Sequence, residues 1–224
     1  MDYEAFFADK VAALKVEGRY RVFAELARAR EMRPLVDTVD YLLDLHSTAL
    51  PNVPMLLCGM QDKGLALARA VGYPARVVID AGHAAGRRLR DYGPFDDPES
   101  PKAAMLVECG QHFDPAAKGA AIETTLRFLR HCGIVDSAFV AAHLRAEPAP
   151  QVVTRVTEAV TIESEDFVFA RDFAGFEVIP EAGTLIARDG RAEVRTPYDD
   201  CVLVLPARDL KRGLTAVRLG QIVA

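Results

Sequence analysis

Residues 39–51 read VDYLLDLHSTALP, an apolar run that closes on Asp44, His46, Ser47 and Thr48 before a proline turns the chain. Short apolar runs bounded by turn residues have the length and composition of buried strands. Four such runs stand in the first part of the chain: Val39 to Leu45, Val53 to Cys58, Arg76 to Ile79 and Ala103 to Cys109. Helical spacing over Lys63 to Val71 separates the second from the third. Strands alternating with helix predict α/β architecture, a mainly parallel sheet flanked by helices. A second helix is expected over Pro115 to His131, with proline tolerated in its first turn and Gly133 just past its end. Upstream, Phe7, Val11 and Leu14 recur at helical intervals, as do Val22, Leu26 and Ala29, and Pro34 is expected to end the later helix.

The texture changes at RAEPAPQVV, where Pro148 and Pro150 mark a linker. Beyond it the segments are short, rich in Val, Thr, Phe and Ile, and divided by turn signals such as ARDGRAE and RTPYDDC. The expected organisation is an α/β domain over residues 1–147 and a small all-β domain over residues 151–224.

With 224 residues, half of them hydrophobic and 26% charged, the chain can bury a sizeable core. A formal net charge of −5 and a pI near 5.6 argue against nucleic acid as a partner, because neutralising phosphates takes an excess of clustered Lys and Arg. The arginines at 87, 88 and 90 are a local group in an acidic chain, better suited to a small carboxylate or an internal acid. Cys58, Cys109, Cys132 and Cys201 are widely spaced inside apolar runs, which suits reduced buried thiols and a cytoplasmic protein. Residues 2–10 do not read as a signal peptide, and no window approaches the ~18–20 apolar residues of a membrane span, so no membrane partner is expected.

Ligands of open α/β sheets collect where side chains leave the strand ends. His46 and Glu108 are placed that way, each after a run of apolar residues and before small or turn-prone ones. Asp44, two residues before His46 on one strand face, is placed to fix the tautomer of the imidazole. Taken alone, the same residues suit a hydrogen-bonded structural histidine, an arginine partner and a solvated acid. The stretch DAGHAAGRRLRDYGPFDDPESPK, residues 80–102, is long for a connection and carries three arginines. Its guanidiniums suit carboxylate recognition, and pairing with Asp91, Asp96 and Asp97 accounts for them equally well.

Together VDYLLDLHST, DAGHAAGRRLRDYGPF and LVECGQH resemble the succinylglutamate desuccinylase and aspartoacylase family of zinc-dependent amide hydrolases, which is related to zinc carboxypeptidases. The likeness runs from about Arg28 to the C-terminus. It implies a zinc carboxypeptidase-like fold, shortened at the N-terminus, with a C-terminal β domain of barrel-sandwich shape. It makes His46 a zinc ligand, Glu108 the general base and acid, and Arg88 and Arg90 the groups that hold the carboxylate of an N-acyl amino acid. The implied cofactor is zinc and the implied partner a small N-acyl amino acid or similar carboxylate; homo-oligomerisation is compatible with this reading.

The family's G-x-H-G-x-E motif, which supplies two further ligands, has no counterpart in the sequence: none of the five histidines is followed three residues later by Glu or Asp. RYRVF at Arg19 to Phe23 is a poor substitute for its N-R-x-F segment. His83 and His112 are the nearby substitutes for the missing ligands, the latter in a C-x-x-H spacing with Cys109. A catalytic zinc takes three protein ligands and a water, so the alternative is a metal-free relative that binds a small molecule or serves in assembly. Other chemistries are set aside: there is no G-x-S-x-G elbow, no phosphate-binding loop, and no lysine between Lys118 and Lys211 to carry a covalent cofactor on the β section.

Overall fold

The computed structural model describes residues 34–82, 88–144 and 149–223. The chain divides into two compact units, Met1–Asp40 and Tyr41–Ala224. In the first, residues 34–36 form a helical turn, and the Thr38 hydroxyl donates to the Leu35 carbonyl. Pro34 is itself helical. The helices expected upstream, and Arg19 to Phe23, lie outside the described residues.

Among the described residues the second unit is built on an eight-stranded sheet. Its first half contains β1 (Tyr41–Thr48), β2 (Met55–Cys58), helix α1 (Asp62–Val71), β3 (Arg76–Ile79), β4 (Ala103–Gln111), α2 (Pro115–His131) and the short α3 (Ser137–His143). The second half is β5 (Val152–Thr161), β6 (Phe167–Phe169), β7 (Glu177–Ile179), β8 (Leu185–Asp189), β9 (Ala192–Arg195), β10 (Cys201–Val204) and β11 (Thr215–Ile222). The large sheet runs β1-β4-β2-β3-β5-β11-β10-β7, and β6-β8-β9 form a separate antiparallel sheet. The pairs β1/β4, β2/β3 and β3/β5 are parallel, whereas β2 meets β4 antiparallel. The result is a mixed sheet, mostly parallel in its core, flanked by helices.

Local chemistry explains the elements. Asp114 caps α2 by accepting from the Ala116 N–H at 2.8 Å, and Pro115 fills the first helical position where no donor is needed. Gly72 closes α1 at φ 70°, a left-handed conformation open to glycine, and donates to the Ala68 carbonyl. Alternation along the strands then sorts side chains to two faces. Leu56, Cys58, Val77, Ile79, Met105 and Val107 pack with Leu67, Ala68, Val71 and Phe128 of the helices. Met55, Leu57, Val78 and Leu106 face the other way and pack with Phe176, Val202 and Val204 from the C-terminal half. A third core, including Ile162, Phe167, Ile186, Leu203 and Leu219, fills the space between the antiparallel layers.

The sheet crosses the change of texture at Pro148 and Pro150, because β5 continues the ladder of β3 with Arg76 opposite Val152 and Ile79 opposite Arg155. Strands β5, β11, β10 and β7 extend the sheet that the α/β half begins. Among the described residues no helix is long and apolar enough to cross a membrane.

Candidate functional site

Strands β1 and β4 lie side by side with His46 directly opposite Glu108 and Asp44 opposite Leu106. Neighbours in register share a face, so Asp44, His46, Leu106 and Glu108 project to the side away from the helices. His46 is the sixth of eight residues in β1, and Glu108 the sixth of nine in β4. The pair thus stands on the sheet face, in the later part of each strand. The run past Leu45 continues as strand because β1 closes the sheet order, where one face takes polar side chains.

His46 Nε2 is 3.1 Å from Asp44 Oδ1, and Nδ1 is 4.0 Å from Glu108 Oε1. Donation from Nε2–H to Asp44 leaves the lone pair of the neutral ring on Nδ1, facing Glu108. The Asp44 hydrogen bond raises the imidazole pKa above its usual 6.5, against the opposing effect of burial. Glu108 is 13% exposed, and burial pushes its carboxyl above 4.5, while His46 and Arg88 draw it back. Glu108 Oε2 is buried without a hydrogen-bond partner.

Arg88 is coupled electrostatically to both members of the pair. Its guanidinium is held by Asp80, with Nη2 to Oδ2 at 2.6 Å, and its Nη1 is buried without a partner. Arg90 is not brought to the same place: Nη2 donates to the Asp80 carbonyl at 2.8 Å, and Nη1 lies 3.1 Å from Asp91 and beside Gly59, just past the end of β2. In the antiparallel register that end of β2 faces Met105, whereas Glu108 faces the start of β2 at Met55. Full burial of the Arg90 side chain makes it a brace within the loop, beside Arg88 at Asp80 but turned away from Glu108. The internal pairing of the loop is partial: Asp91 takes Arg90, whereas the backbone carbonyls of Pro94, Asp97 and Ser100 are gathered by the Lys63 ammonium.

Two residues that sequence patterns left unmarked belong to this cluster. Asp80 follows the apolar run RVVI directly, the same signal that singled out Asp44. Its Oδ1 accepts from the Gly82 N–H at 3.1 Å, and Oδ2 sits between Arg88 and Arg218 Nε, the latter at 3.2 Å. Arg218 comes from the middle of β11, inside the apolar stretch TAVRLGQI, where its sole signal is a charge amid core residues.

The other described histidines go elsewhere. The Ser47 hydroxyl pairs with His112 Nδ1 at 2.8 Å, on the strand face opposite His46. His131 packs edge-on against Tyr41, and His143 stacks on Phe139. His83 lies outside the described residues. Cys109 is a core thiol pushed up to about 11 by burial, so the C-x-x-H spacing forms no site. A cavity of about 290 Å³ lies apart from these groups, beside Arg171, Phe173 and Glu177, but the Arg171 guanidinium is already stacked on Phe173 and paired with Glu177.

For a divalent metal the described residues offer the His46 imidazole nitrogen with Glu108 beside it, and no group of three His, Cys, Asp or Glu gathers among them to hold an ion. The described residues by themselves do not make the three-ligand set of a catalytic zinc.

No protein-family model matches the chain, and no curated protein matches it. Solved structures do. The succinylglutamate desuccinylase of Vibrio parahaemolyticus matches with a TM-score of 0.65 at 18% identity, over 91% of this chain and 62% of that one. The Vibrio cholerae desuccinylase matches at 0.66 and 16% identity, over 90% and 61%. The ectoine utilization protein EutE (DoeB) of Ruegeria pomeroyi, solved with product bound, matches at 0.57 and 17% identity, over 84% and 60%. The chain therefore has the fold of the succinylglutamate desuccinylase/aspartoacylase proteins, and it spans about three fifths of the length of these structures.

Proposed function

We propose that this chain carries the acid–base and carboxylate-holding part of a deacylase pocket of the succinylglutamate desuccinylase/aspartoacylase kind, acting on the amide of an N-acyl amino acid. The single observation that carries this reading is the register of β1 on β4, which sets an Asp-fixed imidazole directly opposite a buried glutamate whose Oε2 has no hydrogen-bond partner. Glu108 is the proton carrier. Its raised pKa suits a carboxylate that takes a proton from an attacking water and returns it to the departing amine. Arg88, with its buried and partnerless Nη1, holds the carboxylate of the substrate. His46 presents Nδ1 beside Glu108. Zinc dependence, expected from the resemblance, requires ligands beyond the described residues, so no step is drawn through the metal.

A second reading is favoured by the lack of a G-x-H-G-x-E motif in the sequence and of a three-ligand group among the described residues: a metal-free protein that binds small carboxylates with the same arginine and does no hydrolysis. Hydrolysis of a panel of N-acyl amino acids, with metal content measured on the purified protein and on His46→Ala, separates the two. Deacylation together with metal that His46→Ala loses supports the first. Unchanged metal content in His46→Ala refutes the ligand role of His46, and no hydrolysis in the presence of zinc leaves the second reading.

A further inference from the structure

Asp80 is the centre of a buried charge cluster drawn from three parts of the chain: the end of β3, the loop before β4, and β11 of the C-terminal half. Its side chain is 3% exposed, that of Arg88 10% and that of Arg218 4%. Arg90 and Asp91 complete the group. Glu108 lies within electrostatic reach of both Arg88 and Arg218, so the three guanidiniums stand among three carboxylates. Buried charges persist where opposite charges answer them.

Val217 and Leu219 on either side of Arg218 pack into the core of the antiparallel layers, so Arg218 itself projects to the face shared with Val204, its partner in β10, towards the α/β half. There it meets the same Oδ2 that Arg88 grips. One carboxylate oxygen thus anchors two guanidiniums. Nη1 of Arg88 is left as an open donor.

We infer that Arg218 is a positioning residue for the anion-holding Arg88: by gripping Asp80 from the C-terminal half it fixes the carboxylate that keeps Arg88 in place for an incoming ligand carboxylate. The inference rests on the proposed reading of Arg88 as the carboxylate-holding group. It assigns to the C-terminal half a part in ligand binding that its exposed surface does not suggest, and the ligand class is a small mono- or dicarboxylate.

The test is calorimetric titration of succinate into the full chain and three variants. Arg218→Gln retains a hydrogen-bond donor towards Asp80 but drops the charge, and is expected to weaken succinate by about tenfold or more, the order for one charge at an effective dielectric of about 20. Arg218→Lys restores the charge and is expected to bind within about threefold of the unchanged protein on the same ground. Arg88→Met is expected to bind no succinate. A merely structural arginine would lower the melting midpoint of both Arg218 variants without separating them in affinity. Arg218→Gln binding like the unchanged protein, while Arg88→Met does not bind, overturns the role of Arg218 alone. Succinate failing to bind the unchanged protein, or binding Arg88→Met undiminished, overturns the carboxylate reading and this inference with it.

Discussion

Asp80→Asn is the substitution whose effect follows most directly from the charge cluster. The side chain keeps its shape, and its remaining oxygen can still accept from Gly82, but the charge between Arg88 and Arg218 is gone. Removing one partner of a buried ion pair costs about 3–5 kcal/mol, because the desolvated partner stays behind. Here two guanidiniums stay behind, with Arg90 and Asp91 close by, so the upper part of that range is expected. Against a total stability of about 5–15 kcal/mol, that is a large share. Urea unfolding of the two proteins at neutral pH measures it as a shift of midpoint at unchanged slope.

The pH dependence gives a second reading of the same quantity. Burial on its own would raise the Asp80 carboxyl, but Arg88, Arg218 and the Gly82 N–H outweigh it and hold the pKa below the ordinary 3.8. A folded value below the unfolded one means that the stabilisation is fully present above pH 3.8 and disappears as the pH falls through the folded value. The stability gap between the protein and Asp80→Asn is expected to be level near neutrality and to narrow in acid below pH 3.8. A neutral-pH gap under about 1 kcal/mol, the size of a surface pair, would refute the buried cluster as described. So would a gap that widens in acid.

Glu108→Gln is expected to lower deacylation by about 100-fold or more while keeping the thermal midpoint, checked by initial rates and melting on one preparation; an active variant removes Glu108 as proton carrier. Leu203→Ala opens a hole in the core of the antiparallel layers, where Leu203 is fully buried, and should cost about 2–5 kcal/mol in denaturant unfolding. Asp114→Ala removes the cap of α2 and should cost about 0.5–2 kcal/mol in the same assay, with succinate affinity unaffected because the cap lies outside the charge cluster.

Much of the α/β half was legible along the chain. The expected bounds of β3 and α2 agree with the structure, because RVVI is an unbroken apolar run and α2 is punctuated by Pro115 and Gly133. β1 runs on to Thr48, past the expected Leu45, since Asp44 and His46 alternate with Leu43 and Leu45 as an outer strand permits. The convergence of His46 and Glu108 was legible as two acid–base residues late in their strands; their direct opposition depends on β1 pairing with β4, a partner choice made 62 positions away. Strand direction was not legible. β2 runs antiparallel to β4, and no local residue pattern encodes which neighbour a buried apolar strand takes. Arg90 and Arg88 are indistinguishable by spacing, yet the loop turns one into the interior and the other towards the pair. Arg218 was hidden for the opposite reason, since a lone charge in a β-rich tail reads as a solvated residue until the fold brings it to Asp80.

The ladder from β3 into β5 decides how the molecule can be divided. Cutting at the proline-rich joint before residue 151 would strip β3 of its outer partner, bare Met55, Leu57, Val78 and Leu106 to water, and leave Asp80 without Arg218. A fragment ending there would lose its apolar cover and its charge balance together, so the chain's last third completes the interior that the strands bearing His46 and Glu108 begin.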